Sequence, residues 1–218
     1  TVRSQVRGAN GRLLVVAKQH GPQTMLLFHP HSDELEAVIV TSGYKLVRTA
    51  GPRAVGCRYL APEAPRVLGV MGSSTQARGH VPVLLHEMSS IEEVRIYSPS
   101  PEHRERLAAG LDCTVAARVH AVDTAKSAIE EATVLAAVAN SEEPTFDPAR
   151  VKPGARVASI ARGQLPPELA QQTRFIASTQ MGLAEGGRRD TEAQASLNPG
   201  RQASEPAGSL LDVMERRT

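Results

Sequence analysis

The sequence predicts an α/β fold: a doubly wound parallel sheet joined to a second, smaller domain. Three observations predict it. From Arg66 onward, short apolar runs alternate with amphipathic stretches, the pattern of parallel β-α-β units buried on both faces. The run "VLGVMGSSTQAR" (67–78) passes from an apolar strand through a glycine turn into a helix. The composition suits an aliphatic core: 41% of the 218 residues are apolar, only 3% are aromatic, and Trp is absent.

Taken in order, "GRLLVVAK" (11–18), "TMLLFHP" (24–30) and "ELEAVIVTS" (34–42) read as strands, with "HPHSD" as a hairpin connection. "RTAGPRAVGCRYL" (48–60) reads as a helix with Pro52 in its first turn, and "APEAP" (61–65) as a turn. "RVLGVMG" begins the parallel sheet, and "TQARGHVPVLLHEM" follows as a helix that Pro82 is placed to kink. "EEVRIYS" is a second strand. "SPEHRERLAAGL" is a helix with Ser100 as N-cap and Glu102 in its first turn. "VHAVD" is a third strand, and "TAKSAIEEA" a helix capped by Asp123 or Thr124. "TVLAAVA", "ARVASIA" and "RFIAST" complete the strands. From Gly186 the chain turns rich in Gly, Ser, Pro and charge, which reads as a flexible stretch before a short helix, "LLDVMERR".

The totals narrow the function. A formal charge of +2 of mixed sign, with no basic stripe interleaved with aromatics, argues against nucleic acid. No apolar run approaches the roughly 20 residues that cross a bilayer. The opening "TVRSQVRGANGR" is polar and basic, unlike a secretory leader, so the expected location is cytoplasmic. Cys57 and Cys113 are read as two buried thiols. His29 and His31, near Asp33 and Glu34, fall short of a metal's three or four converging ligands and read as a polar hairpin tip; no metal is expected.

In a G-x-G-x-x-G/A turn the first glycine makes the bend, the second admits the pyrophosphate, and the third small residue lets the helix pack against the sheet. Gly72 and Ala77 fill the outer roles, and Ser74 takes the middle one. The phosphates would sit over the helix start, cradled by Gly72, Ser73, Ser74, Thr75 and Gln76, with the Ser74 hydroxyl available as a donor. The second strand ends at Ser98, Pro99 and Ser100, where NAD-preferring domains usually carry a carboxylate. Its absence removes a repulsion from a 2′-phosphate. Ser98, Ser100, His103 and Arg104 then favour NADP slightly over NAD.

These segments resemble the ornithine cyclodeaminase/mu-crystallin family. The match runs from about Leu26 to Gly187 through "LLFHPHSDELEAVIV", "KLVRTAGPRAVGCRYLAPEAPRVLGVMGSSTQARGH", "EEVRIYSPSPE", "AVDTAKSAIEEATVLAAVANSEEP", "VKPGARVASIARG" and "PELAQQTRFIAST". The resemblance implies a Rossmann-type NAD(P) domain over residues 61–187 and a partial mixed-sheet dimerisation and substrate domain over 1–60. Residues 188–218 would return to the dimerisation domain. It implies a homodimer, and hydride exchange between a nicotinamide and an α-carbon bearing nitrogen. Arg48 falls on the arginine that clamps the substrate carboxylate, Arg3 on a second such arginine, and Lys18 on an active-site lysine. Ser141 and Pro144 keep the family pattern beside the cofactor.

The chain also departs from that pattern. Gly163 stands near the place of the family's catalytic aspartate, between Arg162 and Gln164, and glycine cannot act as general acid or base. The fourth strand ends Val138-Ala139-Asn140 where the family has a threonine. The chain is also shorter than the family's members, as a reduced form or a fragment would be. Two readings follow. The first is an NAD(P)-dependent oxidoreductase acting on a small amino acid or cyclic imine. The second is a catalytically lapsed relative that binds a nucleotide or metabolite, or forms dimers, and has lost its cofactor chemistry.

Overall fold

The computed structural model describes residues 2–7, 10–17, 23–60, 64–160 and 164–172. The chain divides into two compact units, one ending at Arg48 and the other beginning at Thr49.

The first unit is an antiparallel meander of β1 (Val2–Arg7), β2 (Leu13–Ala17), β3 (Gln23–Phe28) and β4 (Leu35–Thr41), ordered as in the chain. Strand β1 lies in a stretch read from sequence only as polar and basic. As an edge strand it has no need of the apolar alternation that marks a buried one. The β3–β4 connection is closed by the His29 amide on the Glu34 carbonyl at 2.8 Å. Asp33 takes a left-handed φ of 53° there, and the His29 ring accepts from the His31 and Ser32 amides. His29 is thus occupied in shaping the hairpin tip.

Helix α1 (Tyr44–Leu60) starts a turn earlier than expected, its first amides reaching back to the Gly43 carbonyl. Pro52 therefore lies inside the helix and not in its first turn. It has no N–H to offer the Arg48 carbonyl.

The second unit is Rossmann-type. Strands β5 (Val67–Met71), β6 (Glu93–Tyr97), β7 (Arg118–Ala121), β8 (Val134–Ala137) and β9 (Arg156–Ser159) form one parallel sheet, ordered β7-β6-β5-β8-β9. Helices α2 (Thr75–Glu87), α3 (Pro101–Asp112), α4 (Ala125–Ile129) and α5 (Pro167–Gln172) accompany it. The two-residue period of the strands sorts their side chains between two cores. Leu68, Val70, Val94, Ile96, Val134, Ala136 and Ala158 meet Ala54 and Cys57 of α1, Val81 and Leu84 of α2, and Leu107 and Leu111 of α3. Met71, Leu135 and Ala137 face the other way, onto Ala128 and Ile129 of α4 and onto Phe146. Each Val, Leu, Ile or Met side chain so buried contributes roughly 1.5–3 kcal/mol, and each alanine less. Between the two caps expected for α4, Thr124 serves, its hydroxyl accepting from the Ser127 amide at 3.0 Å.

Cys57 is buried, and burial pushes its thiol up to about 11. Cys113 is exposed, not buried as expected. It caps the end of α3, past the last buried turn at Leu111. The segments "RFIAST" and "LLDVMERR" lie outside the described residues.

Candidate coenzyme-binding site

Strand order reverses between β5 and β8, which leaves a crevice beyond their carboxyl ends, where open α/β sheets bind ligands. The chain leaves β5 at Gly72, whose φ is +119°. The Gly72 amide donates to the Tyr97 carbonyl at 2.8 Å, and the Val138 amide to the Met71 carbonyl at 3.0 Å. The turn is thus fastened to both neighbouring strands.

Ser74 caps α2 and has its hydroxyl turned inward. That oxygen donates to the Val138 carbonyl at 3.0 Å and accepts from the Gln76 amide at 3.2 Å. The expected donation from Ser74 to a phosphate is therefore corrected: the hydroxyl is already committed, and it draws the Gln76 amide with it. What the turn keeps is backbone. The amides of Ser73, Ser74 and Thr75 have no partner among the described residues. Free amides at the positive end of a thirteen-residue helix suit a diphosphate. The serine in the middle position has swung its side chain out of the cradle and not into it.

A cavity of about 160 Å³ opens beside the turn, lined by Ser73, Ser74, Thr75, Arg78, His103, Arg106 and Leu107. From Ser73 on its lining a chain of hydroxyls runs back to the end of β6. Ser73 donates to Ser98 at 2.9 Å, and Ser98 donates to the Ser100 carbonyl at 3.2 Å. The Ser100 hydroxyl caps α3 by accepting from the His103 amide. The sequence reading placed Arg104 here, and this too is corrected. Arg104 is buried, donating to the Ser98 carbonyl at 3.1 Å and to Asp123 at 2.7 Å. It stands on the buried face of α3 with Leu107, Ala108 and Leu111. The cations that do line the cavity are Arg78 and Arg106, both absent from the sequence-based set. Arg106 also meets Glu102 one turn before it.

The other expected residues are not among those that line this cavity. The Ser141 hydroxyl donates to the Glu143 carbonyl at 2.9 Å and accepts from its amide, closing its own turn. Arg48 is exposed, its guanidinium carbon 5.9 Å from the Tyr44 ring centroid. Arg3 lies on β1, and Lys18 and Gly163 lie outside the described residues. Gln164 is buried and donates to the Ala139 carbonyl beyond the end of β8. Among the described residues no three His, Cys, Asp or Glu side chains gather as for a metal ion, and no helix is long and apolar enough to cross a membrane.

Beneath the turn, His80 of α2 is wholly buried. Its Nδ1 bonds the Gln76 carbonyl at 2.8 Å, while Nε2 has no partner. Burial, more than the neighbouring Arg53 charge, holds its pKa below the ordinary imidazole value. The unfolded chain thus binds a proton that the folded chain refuses. Stability is fully present above about pH 6.5 and is lost as pH falls, by at most about 1.4 kcal/mol per pH unit for one proton. Urea unfolding of the wild type and of His80→Asn between pH 7.5 and 5 should show the wild type losing more. Parallel pH profiles would refute this.

The matching family model, ornithine cyclodeaminase/mu-crystallin, spans residues 11–214. The mouse ketimine reductase mu-crystallin is 29% identical over 170 residues, covering 75% of this chain and 53% of the relative. The Paracoccus denitrificans Delta(1)-pyrroline-2-carboxylate reductase is 26% identical over 136 residues, covering 62% and 43%. The chain therefore spans about half the length of the curated relatives it matches. Among solved structures, Thermococcus litoralis Delta(1)-pyrroline-2-carboxylate reductase in complex with NADH and L-proline superposes with a TM-score of 0.75 at 16% identity, over 100% of this chain and 76% of that one. Iminosuccinate reductase of Paracoccus denitrificans in complex with NAD+ gives 0.74 at 22%, with the same coverage. At these identities the superpositions speak for the fold, and the family assignment rests on the match over 11–214: this chain belongs to the ornithine cyclodeaminase/mu-crystallin family.

Proposed function

We propose that the chain is an NAD(P)-dependent oxidoreductase acting on a small amino acid or cyclic imine, with NADP preferred over NAD. The observation that carries this reading is the row of unpartnered amides at Ser73, Ser74 and Thr75, opening onto a cavity that holds two arginines and no strand-end carboxylate. When bound, the coenzyme supplies the hydride. The chain's part is to seat the diphosphate on the α2 start, with Arg78, His103 and Arg106 around the adenosine 2′-phosphate. Arg48 is assigned the substrate carboxylate on the family resemblance, with Arg3 and Lys18 in supporting roles and Ser141 near the cofactor. The similarity to a ketimine reductase and a pyrroline-2-carboxylate reductase supports this substrate class.

We assign residues 1–60 to a dimerisation and substrate domain, 61–187 to the coenzyme domain and 188–218 to a return segment. Val38, Ile39 and Val40 of the edge strand β4 are all exposed, and an apolar edge calls for a partner. A homodimer formed on it accounts for them.

The test is a titration of the full chain with NADPH and NADH by nicotinamide fluorescence, followed by turnover on cyclic imines and amino acids. NADPH is expected to bind at least tenfold more tightly than NADH and to be oxidised by a cyclic imine. Absence of binding by either coenzyme defeats the proposal. Binding without turnover returns the chain to the lapsed reading.

A further inference from the structure

Gln164 lies in the segment that follows β9 and is 2% exposed, an unusual burial for so polar a side chain. Its side-chain amide donates to the Ala139 carbonyl, and its own carbonyl accepts from the Thr145 amide at 3.3 Å. It thus holds both sides of the loop that leaves β8. Ala139 in turn is the residue against which the coenzyme turn closes. An added Cβ on Gly72 would stand 2.6 Å from the Ala139 Cα and 2.7 Å from its nitrogen. Val138, just before it, donates to the Met71 carbonyl and accepts the Ser74 hydroxyl, both at 3.0 Å. The segments after β5, β8 and β9 are therefore joined in one line. It runs from Gln164 to Ala139, from Ala139 to Gly72, and from Gly72 to the free amides of Ser73, Ser74 and Thr75.

Stability alone does not account for this glutamine. Its Oε1 is buried without a partner among the described residues. An unpaired buried amide oxygen is costly, and an unbranched apolar side chain of similar length would avoid that cost. What the glutamine provides in exchange is a donor aimed at Ala139. Free amides hold a diphosphate only as well as their frame is fixed beforehand, because any remaining freedom is given up on binding.

We infer that Gln164 is a positioning residue for the coenzyme: its side chain sets the Ala139 backbone against Gly72 and so fixes the row of amides on which the diphosphate sits. This rests on the coenzyme-binding reading of the turn and adds the residue that braces it.

The chain is titrated with NADPH and NADH by nicotinamide fluorescence as wild type, Gln164→Met and Gln164→Glu, with a urea midpoint for each. Gln164→Met fills the space while removing both the donor and the unpaired oxygen. It is expected to unfold at a midpoint no lower than that of the wild type, yet to bind both coenzymes about tenfold more weakly, the equivalent of one hydrogen bond. The loss is equal for the two because both carry the diphosphate. Gln164→Glu supplies a second readout. A buried carboxyl stays neutral to higher pH than an exposed one; neutral, it donates its proton to the Ala139 carbonyl, and ionised, it repels that carbonyl. NADH has no 2′-phosphate to titrate, and its affinity for Gln164→Glu should approach the wild-type value near about pH 6 and fall below it near about pH 8.5. Glu142, Glu143, Asp147 and Glu168 on the joined segments, Arg53 at the end of β9 and His80 beneath the turn are common to both chains, so the wild-type profile subtracts them.

A Gln164→Met chain that binds as the wild type does overturns the inference, whatever its urea midpoint, as does one whose loss falls on a single coenzyme. A Gln164→Glu chain whose affinity tracks the wild type across that pH range overturns it too, and this comparison decides the matter if Gln164→Met unfolds more readily. Coenzyme binding without any dependence on Gln164 sinks this inference alone. The dependence without turnover leaves it standing and returns the chain to the lapsed reading, and absence of binding by either coenzyme defeats both.

Discussion

Replacing Gly72 by alanine is expected to destabilise the parallel-sheet unit by about 3 kcal/mol or more and to abolish coenzyme binding with it. Two independent costs combine. The residue's φ of +119° is one that L side chains rarely adopt. An added Cβ would also stand 2.6 Å from the Ala139 Cα and 2.7 Å from its nitrogen, both backbone atoms. Neither partner is free to retreat, because Gly72 is bonded to Tyr97, and Val138, next to Ala139, is bonded to Met71. The glycine here serves the approach of two strands as much as the phosphate. Gly110 of α3 supplies the control: nothing lies within 4 Å of its added Cβ, so Gly110→Ala should gain roughly 0.5–1 kcal/mol. Urea midpoints of the two variants should move in opposite directions. A Gly72→Ala chain of wild-type stability that still binds NADPH would contradict the geometry.

The doubly wound sheet was legible because burial on both faces leaves unmistakable apolar runs, of which "VLGVM" and "TVLAAV" are the clearest. Strand β1 was not, since an edge strand can be built from "VRSQVR" without an apolar pattern. The start of α1 at Tyr44 was not legible either, because the preference of proline for a first turn, which Pro52 suggests, is set aside by the bonds from Leu46 and Val47 back to Gly43. Around the turn, the Ser100 cap of α3 could be read from the sequence. The aim of the Ser74 hydroxyl could not, because its acceptor, Val138, is 64 residues away. The inward position of Arg104 was legible. Arg104 shares a helical face with Leu107, Ala108 and Leu111, which condemns it to the core side.

Removing Arg78 and Arg106 together is expected to weaken NADPH binding by roughly a hundredfold while leaving NADH within a fewfold of wild type. The two arginines line the cavity beside Ser73 and His103. The only group by which the two coenzymes differ is the 2′-phosphate, so a site that reads it must lose selectivity when its cations go. A hydrogen bond from a charged group to a phosphate contributes roughly 1.5–3 kcal/mol, less where water screens it, hence about tenfold for each arginine. Arg106 already has another anion beside it. Glu102 pairs with Arg106 across one helical turn, and both side chains are largely exposed. A dianion entering the cavity must take Arg106 from Glu102 and tolerate the carboxylate beside it. Glu102→Gln should therefore tighten NADPH by severalfold without touching NADH, and raising the salt concentration should loosen NADPH more than NADH. Fluorescence titrations of both coenzymes against wild type, Arg78→Ala/Arg106→Ala and Glu102→Gln decide the matter. Equal losses for the two coenzymes would move these arginines from the 2′-phosphate to the shared diphosphate, and a Glu102→Gln chain that binds NADPH more weakly would show that the carboxylate positions Arg106 and does not compete for it.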